Sequence, residues 1–172
     1  MYKVDDIVIY GKMGACKITD ITKPGDIGVA KGRLYYVLQS LQTSCIIYAP
    51  VNTAVFMRPI LSAAEVNRLI DTIPGLEAEP YYNDHAQELA KHYESALESN
   101  NCEELFKLTM SIHAKKQAAE QLNRKIGQID QKFMKLAEEI LFSEISLAVG
   151  IPKEKAQEYI AARVEGVGRQ SA

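Results

Sequence analysis

Closely spaced glycines are the first feature of this chain that could indicate a binding site. In a loop between a strand and a helix, the backbone amides of such glycines bind phosphate. Gly11 and Gly14 fall instead between two strand-like runs, and Gly25, Gly28 and Gly32 occupy a second connector that no helix follows. These positions favour turns between strands. The sequence therefore predicts no nucleotide-binding loop.

The histidines, cysteines and paired acids are the remaining candidates for metal binding and catalysis. No HExxH, CxxC or G-x-S-x-G pattern occurs, and the cysteines are isolated and odd in number. The residues concerned are His85, His92, His113, Cys16, Cys45, Cys102, Glu103, Glu104, Glu138 and Glu139. The acid pairs fall in helical segments, where solvated faces explain them. We therefore expect a protein with no catalytic residue, no metal site and no cofactor.

The composition indicates a folded intracellular protein. The 172 residues are 47% hydrophobic, which is enough for a core, and the formal net charge is only −2. No segment approaches the roughly 20 consecutive apolar residues of a membrane span, and the start lacks the apolar stretch of a signal peptide. We expect a cytoplasmic protein with no membrane partner and no small-molecule substrate.

The first third of the chain has the pattern of short β-strands. Runs rich in Val, Ile, Tyr and Leu are separated by glycine and proline turns. Strands this short cannot build a large sandwich, but four or five of them can curl into a small SH3-like barrel with few exposed edges. The clearest runs are residues 6–10, 15–21, 34–38 and 45–48.

At Ser62 the hydrophobic period changes from two residues to about 3.6, the period of a helix. Ser62 and Glu65 form an S-x-x-E capping box, so a helix is expected to begin there. Asn101 and Gly150 supply further capping signals. The predicted later helices span residues 84–98, 102–122, 127–149 and 152–164. The predicted domains are residues 1–71, which include the first helix, a connector at 72–83, and a helical domain at 84–172.

The third of these later helices has the clearest apolar face. Its hydrophobic residues recur at spacings of three, four or seven, which indicates a stripe buried in the core. The stripe consists of Ile126, Ile129, Phe133, Leu136, Ile140 and Leu147.

Charge is distributed unevenly along the chain. Residues 1–70 carry eight basic and five acidic side chains, a balance of +3, whereas residues 71–172 carry twelve basic and seventeen acidic, a balance of −5. Residues 107–135 nevertheless carry seven basic against two acidic side chains, a local balance of +5. Clustered cations contact phosphates, but solvated lysines on a helix face give the same pattern. Nucleic-acid contact and a solvated face both remain open.

Five short segments resemble, in order, the segments of one known family. These segments are YKVDDIVIY at 2–10, GACKI at 14–18, YYVL at 35–38, IIYAPVN at 46–52 and MRPI at 57–60. They are similar to F-x-V-G-D-x-V-V-Y, H-G-x-G-x-I, Y-Y-V-L, I-x-V-P-V-x-N and x-R-x-I/V in the CarD/CdnL family of bacterial RNA polymerase-binding regulators. The N-terminal domain of that family also occurs in transcription-repair coupling factor. The resemblance is strongest over these first 60 residues, but it continues through Ser99-Asn100-Asn101, where the family often has Ser-Gly-Asp, and through residues 137–150, where its penultimate helix ends. It thus covers nearly the whole chain.

The resemblance implies an α+β transcription regulator with an N-terminal Tudor/SH3-like β-barrel and an all-helical C-terminal domain. The barrel would dock on the β subunit of RNA polymerase. The helical domain would contact promoter DNA at the upstream edge of the bubble, where a tryptophan of the family wedges into the minor groove and nearby basic residues hold the backbone. The polymerase-binding candidates are Lys23, Lys31, Arg33 and Tyr48. The DNA-binding candidates, which include part of the basic cluster, are Tyr81, Tyr82, His85, Lys91, Lys115, Lys116, Arg124 and Lys125.

The sequence departs from the family pattern where DNA would be contacted. It contains no tryptophan, and the wedge position falls near Ala86, with two tyrosines and a histidine as the only nearby rings. Glu88 and Leu89 stand where the family commonly has arginine. We therefore expect weak DNA binding. The alternative is an adaptor that docks on polymerase and uses its helices to recruit another protein instead of DNA.

Overall fold

The computed structural model describes residues 1–23, 25 and 32–170. Five β-strands are followed by five α-helices in this part of the chain, which confirms the predicted α+β class. The chain divides into two compact units, Met1–Ile60 and Leu61–Ala172.

The first unit is a β-sheet. Strands β1 to β5 span, in order, Ile7–Tyr10, Ala15–Thr22, Tyr35–Ser40, Ile46–Pro50 and Met57–Pro59. They form one antiparallel sheet in the order β4-β3-β2-β1-β5, so β4 and β5 lie at its edges among the described residues. The fifth strand is additional to the four predicted runs, because three residues are too few to show an alternation.

A bulge in β2 bends this sheet. The pairing of β2 with β3 shifts register between Ile18 and Asp20, and an extra residue in one strand increases its local bend and twist. Residues that alternate along the strands then meet in a core, as the two-residue side-chain period requires. The core residues are Val8, Cys16, Ile18, Tyr36, Leu38 and Ala49.

The second unit is helical, and local hydrogen bonds fix where its helices begin and end. Ser62 Oγ accepts a hydrogen bond from the Glu65 amide while the Glu65 carboxylate accepts one from the Ser62 amide, which confirms the capping box. Asn101 caps α3, and Gly150 ends α4 with a left-handed φ of 73°. Helices α1 to α5 span Ala63–Thr72, Ala86–Glu98, Cys102–Gln121, Gln128–Val149 and Ala156–Gln170.

The boundary between the two units differs from the predicted one. Helix α1 buries Val66 and Ile70 in the core of the helical unit, and Arg163 of α5 donates two hydrogen bonds, of 2.7 and 2.8 Å, to Asp71 at the end of α1. Because the apolar side of α1 is buried against other helices, the helix belongs to the second unit. The units therefore part after Ile60 and not within residues 72–83.

The buried row of α4 also differs from the predicted stripe. Phe133 is buried as expected, but Leu136 is 41% exposed and Leu147 is 36% exposed. The side chains of α4 that face the core recur every four residues, from Phe133 to Ile145. One of them is Ala137, whose small side chain adds little to a hydrophobic pattern. Two acidic residues share the burial. The buried residues of α4 are Asp130, Phe133, Ala137, Leu141, Glu144 and Ile145.

Candidate functional site

A buried polar cluster joins α2, α3 and α4 in the helical unit. The Lys115 ammonium donates a hydrogen bond to Asp130 Oδ1 at 2.8 Å, and the Tyr93 hydroxyl donates to the same oxygen at 2.6 Å. Lys115 Nζ also lies 3.3 Å from the Tyr93 hydroxyl oxygen. The Lys115 and Asp130 side chains are only 8% and 7% exposed. We call these three residues the Lys115 triad.

The environment of the triad determines which groups carry charge. Burial, together with the hydrogen bond to Asp130, raises the pKa of the Tyr93 phenol, so this hydroxyl stays protonated and remains a donor. Asp130 lies in the first turn of α4, where the positive end of the helix dipole stabilises a carboxylate. An ion pair excluded from water in this way fixes the relative positions of its helices.

The segment between α1 and α2 is held against the same helices by three contacts. The Tyr82 ring lies over the Lys115 ammonium at 4.9 Å. The Tyr81 ring stacks on His92 at 3.7 Å, with 14° between the ring planes. Ser111 donates a hydrogen bond of 2.8 Å to the carbonyl of residue 79. Tyr81 is therefore packed, whereas Tyr82 is 65% exposed and presents its ring to solvent.

The prediction that Lys115 contacts DNA is wrong. Its ammonium is buried and already bonded within the helical unit, so it cannot leave Asp130 for a phosphate without leaving that carboxylate buried and unpaired. The other basic candidates of this unit and His85 have exposed side chains, and their assignment to DNA stays a prediction. These exposed residues are His85, Lys91, Lys116, Arg124 and Lys125.

The turn between α3 and α4 presents a basic tip, which we define as Arg124 and Lys125. Both are exposed, and the backbone is fixed because the Arg124 amide donates to the Ala119 carbonyl at 2.8 Å. The N-terminus of α4 follows directly and adds the positive end of its dipole. Asp130 in that first turn is bonded to Lys115, which lies under Tyr82, so Tyr82 and the basic tip are at the same end of the helical unit.

The polymerase-binding candidates lie in the β-sheet unit. Tyr48 is 36% exposed on the edge strand β4. Lys23 and Arg33 are exposed and flank one end of the sheet, because Thr22 at the end of β2 pairs with the first residue of β3. Lys31 lies outside the described residues. The structure thus brings Lys23 and Arg33 to one end of the sheet and leaves Tyr48 on the strand edge.

Ile46 is a candidate interface residue that the sequence did not single out. It is 63% exposed on β4 and lies two residues from Tyr48, so both side chains are on the same face of the strand. The period of two residues in a strand could have indicated this exposure, because it places residues 46 and 48 on the face opposite Ala49. In the structure Ala49 is buried and residues 46 and 48 are exposed.

Searches for two other kinds of site gave no candidate within the described residues. No three or more His, Cys, Asp or Glu side chains are placed there to hold a metal ion. None of the helices in that part of the chain combines the length and apolar composition needed to cross a bilayer.

Replacing Lys115 with methionine would leave the Asp130 carboxylate buried without its cation. We expect the free energy of unfolding of the helical unit to fall by about 3–5 kcal/mol. Urea denaturation followed by circular dichroism measures this change. Lys116→Met is the matched control, because Lys116 is exposed, and it should change stability by less than about 0.5 kcal/mol. Similar losses in the two variants would contradict a structural role of the triad.

Comparison with known proteins assigns the first unit. Residues 2–61 match the family model of the CarD-like/TRCF RID domain, and these bounds agree within one residue with the compact unit Met1–Ile60. A search of curated proteins gave no match to the chain. The family match confirms the resemblance carried by the five N-terminal segments. The N-terminal unit of this chain is therefore similar over its whole length to the CarD-like/TRCF RID domain.

Proposed function

We propose that this chain is a non-catalytic bacterial transcription regulator that acts in the cytoplasm. It docks on the β subunit of RNA polymerase through its RID domain and modulates initiation at promoters, while its helical unit makes a weak contact with DNA at the upstream edge of the bubble. The observation that carries this proposal is the match of residues 2–61 to the CarD-like/TRCF RID domain, which supports an RNA polymerase-interacting domain.

The edge strand β4 is the surface that we propose for polymerase docking. Among the described residues β4 pairs only with β3, and an edge strand of this kind can accept a strand of a partner. Ile46 and Tyr48 supply an exposed apolar face beside that edge. Exposed large apolar groups next to each other are typical of binding surfaces. Lys23 and Arg33 add positive charge at one end of the sheet.

Replacing Tyr48 with alanine should weaken binding to the polymerase β subunit at least roughly tenfold, as loss of a central aromatic anchor does. Isothermal titration calorimetry with the isolated β lobe measures the dissociation constant. Phe56→Ala is the matched control, because Phe56 is a 46% exposed aromatic residue just before β5, at the opposite edge of the sheet. Equal effects of the two substitutions would exclude β4 as the docking edge.

The proposed DNA contact combines one exposed ring with the basic tip. The edge of a transcription bubble offers unstacked bases, on which an aromatic side chain can stack. Tyr82 is the ring available for this, because Tyr81 is already stacked on His92. Arg124 and Lys125 lie at the same end of the unit and can neutralise phosphates. Ala86, where the family places its wedge, begins α2 and has no ring to insert.

Tyr82→Ala should weaken binding to a fork-junction promoter fragment roughly tenfold, because stacking on one base is worth about 1–3 kcal/mol. Fluorescence anisotropy at several salt concentrations measures affinity and its salt dependence. The double variant Arg124→Gln, Lys125→Gln should instead flatten the salt dependence, since fewer counterions are released. Tyr81→Phe keeps the ring on His92 and serves as the control. No DNA binding at low salt would exclude this contact.

The adaptor alternative has one specific observation in its favour. Residues 71–172 carry a net balance of −5, which opposes nucleic-acid binding by this part of the chain apart from its basic stretch at residues 107–135. An adaptor would dock on polymerase through β4 in the same way but would recruit a protein through its helices. Loss of the DNA contact together with retained polymerase binding would favour this alternative.

A further inference from the structure

The helical unit contains a cleft that neither proposed interface uses. Its volume is about 420 Å³, and its walls come from α3, α4, the start of α5 and the segment that follows α1. Most of the lining is apolar. The large apolar residues of the lining include Ile73, Leu76, Phe106, Met110, Leu141 and Phe142.

One carboxylate lies in this apolar wall. Glu138 is partly buried, and among the described residues its carboxylate has neither a hydrogen bond nor an ion pair. Burial raises the pKa of this carboxyl, and the positive charge of Lys116 and His113 on α3 opposes that rise without either group reaching ion-pairing distance. No fully buried side-chain oxygen among the described residues lacks a hydrogen bond, so this carboxylate is only partly desolvated. A ligand that brings a cationic donor into the cleft would form a charge-assisted hydrogen bond with it.

The dimensions of the cleft favour a small molecule over a protein. Small-molecule sites typically have volumes of roughly 300–1,000 Å³ and a mostly apolar lining with few polar groups, and this cleft falls within that range. A stable protein interface would need a far broader surface. Met110 and Met134 give the lining flexible walls that adapt to the shape of a ligand.

We propose that this cleft binds a small amphiphilic amine. The apolar body of the ligand packs against Phe106 and Leu141, and its ammonium group donates a hydrogen bond to the Glu138 carboxylate. Thr109 and Gln117 line the same cleft and can accept further hydrogen bonds from the head group. The site lies wholly within the helical unit, so the proposal is independent of polymerase docking.

Three probes with the same body test this assignment: 4-phenylbutylamine, 4-phenylbutanol and 4-phenylbutyrate. Each is titrated into the full-length, ¹⁵N-labelled protein without polymerase or DNA, and amide shifts are followed by NMR. The amine should bind at least roughly tenfold more tightly than the carboxylate, because only the amine forms a charge-assisted hydrogen bond with Glu138. The shifts should be confined to the residues that line the cleft.

Glu138→Gln should lower the affinity for the amine to that for the alcohol and leave the alcohol unchanged. Glu139→Gln is the matched control, because Glu139 is the neighbouring exposed acid of α4 and does not line the cleft. Ala114→Leu fills the cleft and should abolish binding of both amine and alcohol, while circular dichroism checks that each variant is folded. Equal affinity for all three probes, an unchanged amine affinity in Glu138→Gln, or no binding of any probe would each overturn the proposal.

Discussion

The ion pair between Lys115 and Asp130 is the interaction on which the arrangement of the helical unit depends. A lysine in a helical core is tolerated only where a carboxylate and a hydroxyl satisfy its ammonium, and Asp130 and Tyr93 supply both. Since these residues come from three different helices, only one relative placement of α2, α3 and α4 forms all the bonds. The same ammonium lies under Tyr82. The core therefore determines which ring reaches the surface.

A second buried acid of α4, Glu144, must also be hydrogen-bonded and so also fixes the position of the residues around it. Glu144 is 1% exposed. Its Oε1 accepts a hydrogen bond of 3.0 Å from the Leu61 amide, and its Oε2 accepts one of 3.1 Å from the Cys102 thiol. Asp130 thus joins α4 to α2 and α3. Glu144 joins α4 to Leu61, which precedes the cap of α1, and to Cys102, the first residue of α3. Buried acids that must be hydrogen-bonded specify this packing more strictly than apolar contacts alone.

Features that depend on neighbouring residues could be predicted from the sequence, and those that depend on packing could not. Ser62, Asn101 and Gly150 were identified correctly because a helix cap is formed by residues a few positions apart. Helix α1 was predicted to belong to the N-terminal domain, but it packs in the helical unit. Its apolar face alone does not show which unit it packs against. Lys115 was counted as a surface cation because a charge pattern carries no information on burial. Its partner Asp130 is 15 residues away in the chain.

In the proposed function the two units have separate roles: the N-terminal unit would dock on polymerase through β4, and the helical unit would contact DNA at the end where Tyr82 and the basic tip lie. Hydrogen–deuterium exchange of the full chain, measured with and without the polymerase β subunit and in the absence of DNA, tests this division most directly. The account predicts slower amide exchange in β4, Ile46–Pro50, with unchanged exchange in α1 to α5. Slower exchange confined to the helices, or to β1 and β5, would contradict it.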